Sequence, residues 1–211
     1  MNVQKTDFRA NWATRNPVLL RGEIGFEIDT NNEKVGNGRD RWNKLPYHGS
    51  PGHWGEFASD VDQATTANTP TEVTFNNVNL SGHGVRLENT SQLIVESPGV
   101  YVFEINLQLS NDDTQIHDAH FWLRKNNSGS AGDVPLTTNA ASVIEKHGGV
   151  PGNNNLLIDH TLELARDDYI KIIWAPSDAL VTLKAGAAIT SPYVRPTRPS
   201  VVANEFQVAA A

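Results

Sequence analysis

The sequence has no cysteine and a single methionine in 211 residues. Without thiols there is no disulfide, no thiolate nucleophile, no zinc–thiolate site and no iron–sulfur cluster. The same absence makes the chain indifferent to the redox state around it. No apolar run approaches the roughly 20 residues that a bilayer span requires. The segment Met1–Asp7 lacks the apolar core of a signal peptide. The expectation is a soluble protein without an export signal of its own. Positive charge is also scarce: Lys+Arg 17 against Asp+Glu 24 gives a formal net charge of −7. The one basic group, Arg39, Arg41 and Lys44, stands beside Asp40 and Glu33. Nucleic acid and anionic membrane both call for clustered cations, so neither is expected as a partner.

What is present divides into three zones. Residues 1–50 hold short apolar runs punctuated by glycine and read as a small β module. Residues 51–69, rich in Gly, Ser, Thr, Asp and Ala, read as a linker. Residues 70–211 alternate apolar and polar positions between Gly, Asn, Asp and Pro punctuation. No long stretch repeats apolar residues at helical spacing, so helix content is expected to be low. A chain of this length buries roughly 70% of its unfolded surface and needs no staples to fold.

Val100–Ser110 is the clearest strand. Tyr101, Phe103, Ile105, Leu107 and Leu109 fall on one face, and Val102, Glu104, Asn106 and Gln108 on the other. That is the pattern of a sheet packed on one side. Ser97-Pro98-Gly99 is a turn signal linking it to the run Leu93-Ile94-Val95. Further strands are expected at Glu72–Phe75, Val85–Leu87, Ala119–Arg124, Leu156–Leu164, Tyr169–Trp174, Leu180–Lys184 and Val201–Val208. Short strands at this spacing predict an all-β sandwich or barrel. In the first zone, Gly25–Thr30, Asn31-Asn32 and Lys34-Val35 read as a hairpin. Leu19, Leu20, Ile24, Phe26, Ile28 and Val35 are too few to bury a core alone, so this segment is expected to lean on the large domain or on copies of itself.

Few constellations suggest chemistry. His117-Asp118-Ala119-His120 offers two imidazoles, but residues three apart on a strand face opposite ways. Asp112-Asp113 and Asp167-Asp168 lack the spacing of a calcium loop and read as solvated turns. There is no Gly-x-Ser-x-Gly elbow, and no pair of carboxylates stands out for glycoside hydrolysis. Gly36-Asn37-Gly38 lacks the context of a phosphate loop. No catalytic residue, metal ligand or cofactor is therefore assigned. Of the five tryptophans, Trp122 and Trp174 sit inside strand runs and suit core or subunit contacts better than ligand stacking. Trp54, in the linker, is the docking candidate. Phe75, Leu157 and Phe206 are candidates for contacts between subunits.

Two resemblances cover different parts of the chain. The series Trp12…Asn16-Pro17-Val18-Leu19…Gly22-Glu23-Ile24-Gly25-Phe26-Glu27…Asp29-Thr30…Lys34-Val35-Gly36-Asn37-Gly38…Trp42-Asn43…Leu45-Pro46-Tyr47 resembles a module near the N-termini of bacteriophage tail-fibre and tropism-determinant proteins. The resemblance implies a trimeric attachment module marked by Trp12, Asn16, Pro17, Glu23, Phe26, Trp42 and Tyr47. The segment Gly84–Asn89, Ser91–Val95 and Pro98–Phe103 is similar to the jelly roll of tumour necrosis factor and complement heads. Phe121–Asn126 and Leu162–Ile170 continue it. That family has Asn-Gly where Asn126-Asn127 stands, and Gly-Asp where Asp167-Asp168 stands. It also trimerises through an apolar sheet face, which implies a homotrimer here.

These resemblances imply a non-enzymatic structural protein on the outer surface of a phage particle, made in the host cytoplasm. Two placements compete. A capsid decoration (cement) protein would seat on the major capsid protein. A tail-fibre or receptor-binding protein would join a tail component and present the jelly roll to host glycan. The absence of a shaft, heptads or a collagen-like stalk tips the reading towards decoration. A carbohydrate-active enzyme on the same jelly roll is the remoter alternative.

Overall fold

The computed structural model describes residues 4–30, 32–45, 47–48 and 52–210. Asn31 of the expected hairpin and Pro46 of the first motif lie outside them. The chain divides into two units, one of residues 1–52 with 210–211 and one of residues 53–209. None of the helices among the described residues is long and apolar enough to cross a membrane.

The first unit contains β1 (Gln4–Asp7), α1 (Arg9–Arg15), β2 (Ile24–Glu27) and β3 (Asn32–Val35). Strand β2 pairs parallel with β1 and antiparallel with β3. The expected hairpin is therefore present, and β1 and α1 are additions to it. Helix α1 buries only Trp12, so it leaves no apolar period in the sequence. At its start Asp7 Oδ1 accepts the Phe8 backbone N–H at 2.8 Å and Asn11 Nδ2 at 2.6 Å. Asn16 ends the helix in the left-handed region, at φ 43, which asparagine tolerates better than most residues. The core of this unit is Trp12, Leu19, Trp42 and Leu45. The aliphatic residues alone would not supply it: Leu20 and Ile28 are exposed. Two indoles replace them.

The second unit runs through β4 (Trp54–Ser59), β5 (Thr71–Glu72), β6 (Asn77–His83), β7 (Val85–Glu88), β8 (Gln92–Val95) and β9 (Gly99–Asn111). It continues with β10 (His117–Lys125), β11 (Asn139–Val143), β12 (Gly152–Leu164), β13 (Tyr169–Pro176), β14 (Val181–Leu183) and β15 (Val201–Ala210). One sheet has the order β11-β10-β13-β8-β7, with β5 on β13. The other has the order β12-β9-β15-β4-β6, with β14 on β9. The pairings of β10 with β11 and β13, of β8 with β7 and β13, of β9 with β12 and β14, and of β4 with β15 and β6 are all antiparallel, as a jelly-roll sandwich requires.

The alternation of β9 becomes the floor of the core. Tyr101, Phe103, Ile105, Leu107 and Leu109 are all buried, against Phe121, Leu123, Ile172 and Trp174 of the opposite sheet. Burial of each such side chain is worth about 1.5–3 kcal/mol. Residues 54–59, read as part of a linker, instead form β4 between β15 and β6. Strand β4 runs alongside β15, with Trp54 opposite Phe206 and Ser59 opposite Val201. Its weak alternation (Gly55 and Ala58 give little apolar signal) hid it. The expected strand Glu72–Phe75 shortens to β5, yet Val73 and Phe75 are still buried.

The two departures from the jelly-roll pattern meet in space. Asn126 and Asp167 both adopt left-handed backbone, at φ 50 and 65. The Asn126 side chain donates to Asp168 Oδ1 and accepts the Tyr169 N–H at 2.8 Å. Side-chain hydrogen bonds thus hold turns where glycine would have relied on backbone freedom.

Candidate functional site

In the first unit the motif residues converge on the tryptophan pair. Trp12 and Trp42 stack, and Trp12 Nε1 donates to the Phe26 carbonyl at 3.0 Å. The Pro17 carbonyl accepts the Trp42 N–H at 2.7 Å, and Asn16 Oδ1 accepts the Asn43 N–H at 3.0 Å. Lys34 Nζ lies over the rings of Trp42 and Tyr47, 5.1 and 4.3 Å from their centroids. Tyr47 donates its hydroxyl to buried Glu27 at 2.8 Å. Glu23 accepts the Leu20 N–H at 2.8 Å and pairs with Lys5 at 2.8 Å. Lys5 is the larger influence holding its carboxyl below the usual range, with the Leu20 N–H adding to it. Trp12, Asn16, Pro17, Glu23, Phe26, Trp42 and Tyr47 are therefore brought together, and each braces the unit. Among the described residues of this unit, Phe8, Val18, Leu20 and Ile28 are large apolar side chains left exposed, and none of them is among the marked attachment residues.

In the jelly roll the β12-β9-β15-β4-β6 sheet turns alternate residues away from the core. Leu157, Phe206 and Val208 are exposed, and Leu157 is cross-strand from Asn106. Trp54 is half-buried opposite Phe206 on the same sheet. Phe75 is a correction: it is 1% exposed and packs edge-to-face on Phe57, with centroids 6.3 Å apart. Its own subunit already covers it, so it has nothing left to offer another.

His117 and His120 stand three apart on the continuous ladder of β10 with β11, projecting to opposite sides. His117 Nε2 instead meets Asp113 Oδ2 at 2.7 Å. Asp113, His117 and Asp178 offer ligand atoms all within 4.8 Å of one another, an arrangement that only the folded chain reveals. Asp112 pairs with Lys146 at 2.8 Å. Asp168 accepts the Ala165 N–H at 2.7 Å and pairs with Lys125 at 2.7 Å.

A shallow concavity lies on the outer side of the other sheet. The segment after Lys125 doubles back over β10 and encloses a cleft of about 370 Å³ lined by His120, Trp122, Asp133, Pro135, Leu136 and Thr138. Three contacts pin the returning loop: Val134 N–H to the Leu123 carbonyl at 2.9 Å, Thr137 Oγ1 to the Val134 carbonyl at 2.8 Å, and Leu123 N–H to Thr137 Oγ1 at 3.0 Å. Between these pins Leu136 is held at φ 64 and is fully exposed. A non-glycine residue in this region costs about 1–3 kcal/mol and persists only where its surroundings over-determine it. Asp133 Oδ1 accepts Arg124 Nε at 2.6 Å. Burial raises the Asp133 pKa, but Arg124 and the nearby Trp122 indole together outweigh it and leave the carboxyl below its usual range. Trp122 Nε1 is sealed from solvent and, despite lying near that carboxylate, completes no hydrogen bond of acceptable geometry. In the sequence Trp122 read as a core or contact residue, because nothing local reveals the loop that folds over it.

Glu205 on β15 is fully buried, and neither carboxylate oxygen has a hydrogen-bond partner. Desolvation pushes its pKa up to about 8. The same burial, aided by Glu205, raises that of Tyr101, whose hydroxyl donates to the Ser97 carbonyl at 2.8 Å.

Comparisons with known proteins fit these two units. Residues 5–40 match the model of the major tropism determinant N-terminal domain. Over 40 residues, 19% of this chain, the sequence is 48% identical to a hyaluronoglucosaminidase of Streptococcus pyogenes phage H4489A. That match spans 11% of the length of the enzyme. A solved structure of Eiger TNF from S. frugiperda superimposes with a TM-score of 0.52 at 15% identity, covering 76% of this chain and 95% of the other. The chain thus joins a segment like the N-terminal domain of a phage tropism determinant to a jelly roll of the tumour-necrosis-factor type.

Proposed function

We propose that the protein is a non-enzymatic, trimeric adhesion module of a bacteriophage tail, joined to other virion proteins through residues 1–50 and presenting its jelly roll to the host surface. The observation that carries this reading is the tropism-determinant match over residues 5–40, in a segment whose motif residues build a self-contained scaffold. The phage hyaluronoglucosaminidase similarity supports the same particle context. Because it spans so little of that enzyme, it gives no ground for assigning hydrolysis here.

Exposed Leu157, Phe206 and Val208 on the outer face of the β12-β9-β15-β4-β6 sheet support a trimer. Three copies would bury that face and multiply weak contacts with a symmetric partner through high effective concentration. Capsid decoration on the major capsid protein is the competing placement. Copy number separates the two: quantitative mass spectrometry of purified particles should give on the order of tens of copies or fewer for a tail and hundreds for a capsid. In parallel, the purified protein should compete with the phage for adsorption to its host. Hundreds of copies together with no competition would overturn the tail reading.

A further inference from the structure

We propose that the cleft between β10 and the 133–138 loop is a subsite for a neutral saccharide, with Trp122 as the stacking surface and Asp133 as the hydroxyl acceptor. The inference rests on the reading that the head meets a host surface, and it names what the head recognises.

Several independent features point to this ligand class. The volume, about 370 Å³, lies in the range of small-ligand sites and suits a short oligosaccharide rather than a folded partner. The lining combines apolar surface from Pro135 and Leu136 with a few polar groups from His120, Asp133 and Thr138. A pyranose has the matching character, with an apolar C–H face and a rim of hydroxyls. Trp122 is half-buried, and its one polar atom is sealed. What the indole shows to the cleft is therefore carbon. Asp133 is held ionised, with Arg124 Nε on Oδ1 and the Trp122 indole close by. An ionised carboxylate has more lone pairs than these neighbours use, so it can accept from a ligand hydroxyl in a charge-assisted bond. Arg124 already balances the charge, so a cationic ligand gains little, while an anionic sugar would meet the carboxylate. A neutral saccharide fits best.

The mouth is also pre-formed. Leu136 holds its left-handed, fully exposed conformation between anchored Val134 and Thr137. A loop already fixed in place loses little freedom when a ligand arrives. An exposed leucine in that backbone region contributes nothing to the core, and a contact made at the rim gives it a role.

The test uses the full chain labelled with 15N at its tryptophan indoles, titrated with D-galactose, N-acetyl-D-glucosamine and L-rhamnose. The Trp122 resonance is identified by its loss in Trp122→Phe. At least one sugar should shift that resonance saturably, with N-acetylneuraminic acid as the charged control giving no shift. Asp133→Asn should weaken binding roughly tenfold, the loss expected for one bond to a charged acceptor. Leu136→Gly, which keeps every polar group, should weaken binding while leaving the melting temperature unchanged or higher. Thr138→Ala guards against misfolding of the Asp133 variant and should also weaken binding. No shift at Trp122 with any of the three sugars, or equal affinity in all variants, overturns the proposal. Whole-cell binding separates it from the adhesion reading. Host cells bound equally by wild type and Trp122→Ala would sink the cleft and keep the adhesin. Sugars bound at Trp122 with no cell binding would do the reverse.

Discussion

The indole of Trp12 lies on that of Trp42 with ring centroids 4.2 Å apart and planes 15° from parallel. Beneath this pair Gly25 leaves a gap that nothing larger fits: a Cβ there would stand 2.3 Å from the Trp42 ring. Gly25→Ala is therefore expected to destabilise the first unit by about 1–3 kcal/mol through overpacking. Trp42→Ala should cost about 3–5 kcal/mol through the cavity it leaves. Tryptophan fluorescence and limited proteolysis should show residues 1–52 loosened first, while the far-ultraviolet β signal of the jelly roll persists.

Glu205 makes stability depend on pH in an unusual direction. Its folded pKa, about 8, stands above the usual 4.5. Between those values the unfolded carboxyl is ionised and the folded one is not, so stability falls as pH rises. Glu205→Gln removes the titration while keeping the shape. Urea unfolding should find the variant close to wild type at pH 4.5 and more stable at pH 8, by about 1–3 kcal/mol. Equal pH slopes for the two proteins would refute this account.

Association through the outer face of the β12-β9-β15-β4-β6 sheet predicts that Leu157→Lys and Phe206→Lys together dissociate the trimer. Light scattering should give three times the chain mass for wild type and one chain mass for the double variant. Both sites are already exposed in the single chain, so melting of the separated subunits should retain a cooperative transition.

Asp168 contributes in the acid range. Burial raises its pKa, but Lys125, Asn126 and the Ala165 N–H outweigh it and hold the carboxyl below the usual 3.8. A depressed folded pKa means stability that is full above 3.8 and lost as pH falls through the folded value. Asp168→Asn should lower stability at neutral pH by about 1–3 kcal/mol and flatten the acid limb of an unfolding profile.

The legible part of the fold was the part written in period two. Strand β9 declares its buried face residue by residue, and β12 and β15 follow the same rule, whereas β13 is a continuous run buried from Ile170 to Trp174. Strand β4 stayed hidden because Gly55 and Ala58 dilute the alternation. Helix α1 stayed hidden because one buried tryptophan makes no period. Trp12 and Trp42 were legible as a motif but not as a stack, since their contact depends on chain reversal between them. The cleft was the least legible: Trp122, Asp133 and Leu136 come together only when the loop after Lys125 folds back over its own strand, and no spacing encodes that. Likewise Phe75 looks like any surface-strand phenylalanine until Phe57, from a segment read as linker, arrives beside it.

The pairing of Trp54 with Phe206 and Ser59 with Val201 places the chain's entry into the jelly roll and its exit at a common pole. At the antipode, where Asn111 is paired with both Gly152 and Val181, and His117 with Val143, the bends at 112–116, 144–151 and 177–180 carry no through-going connection. Those bends are free to lengthen or diversify without disturbing how the head is tethered, so a lineage could retune that crown while keeping its mooring intact.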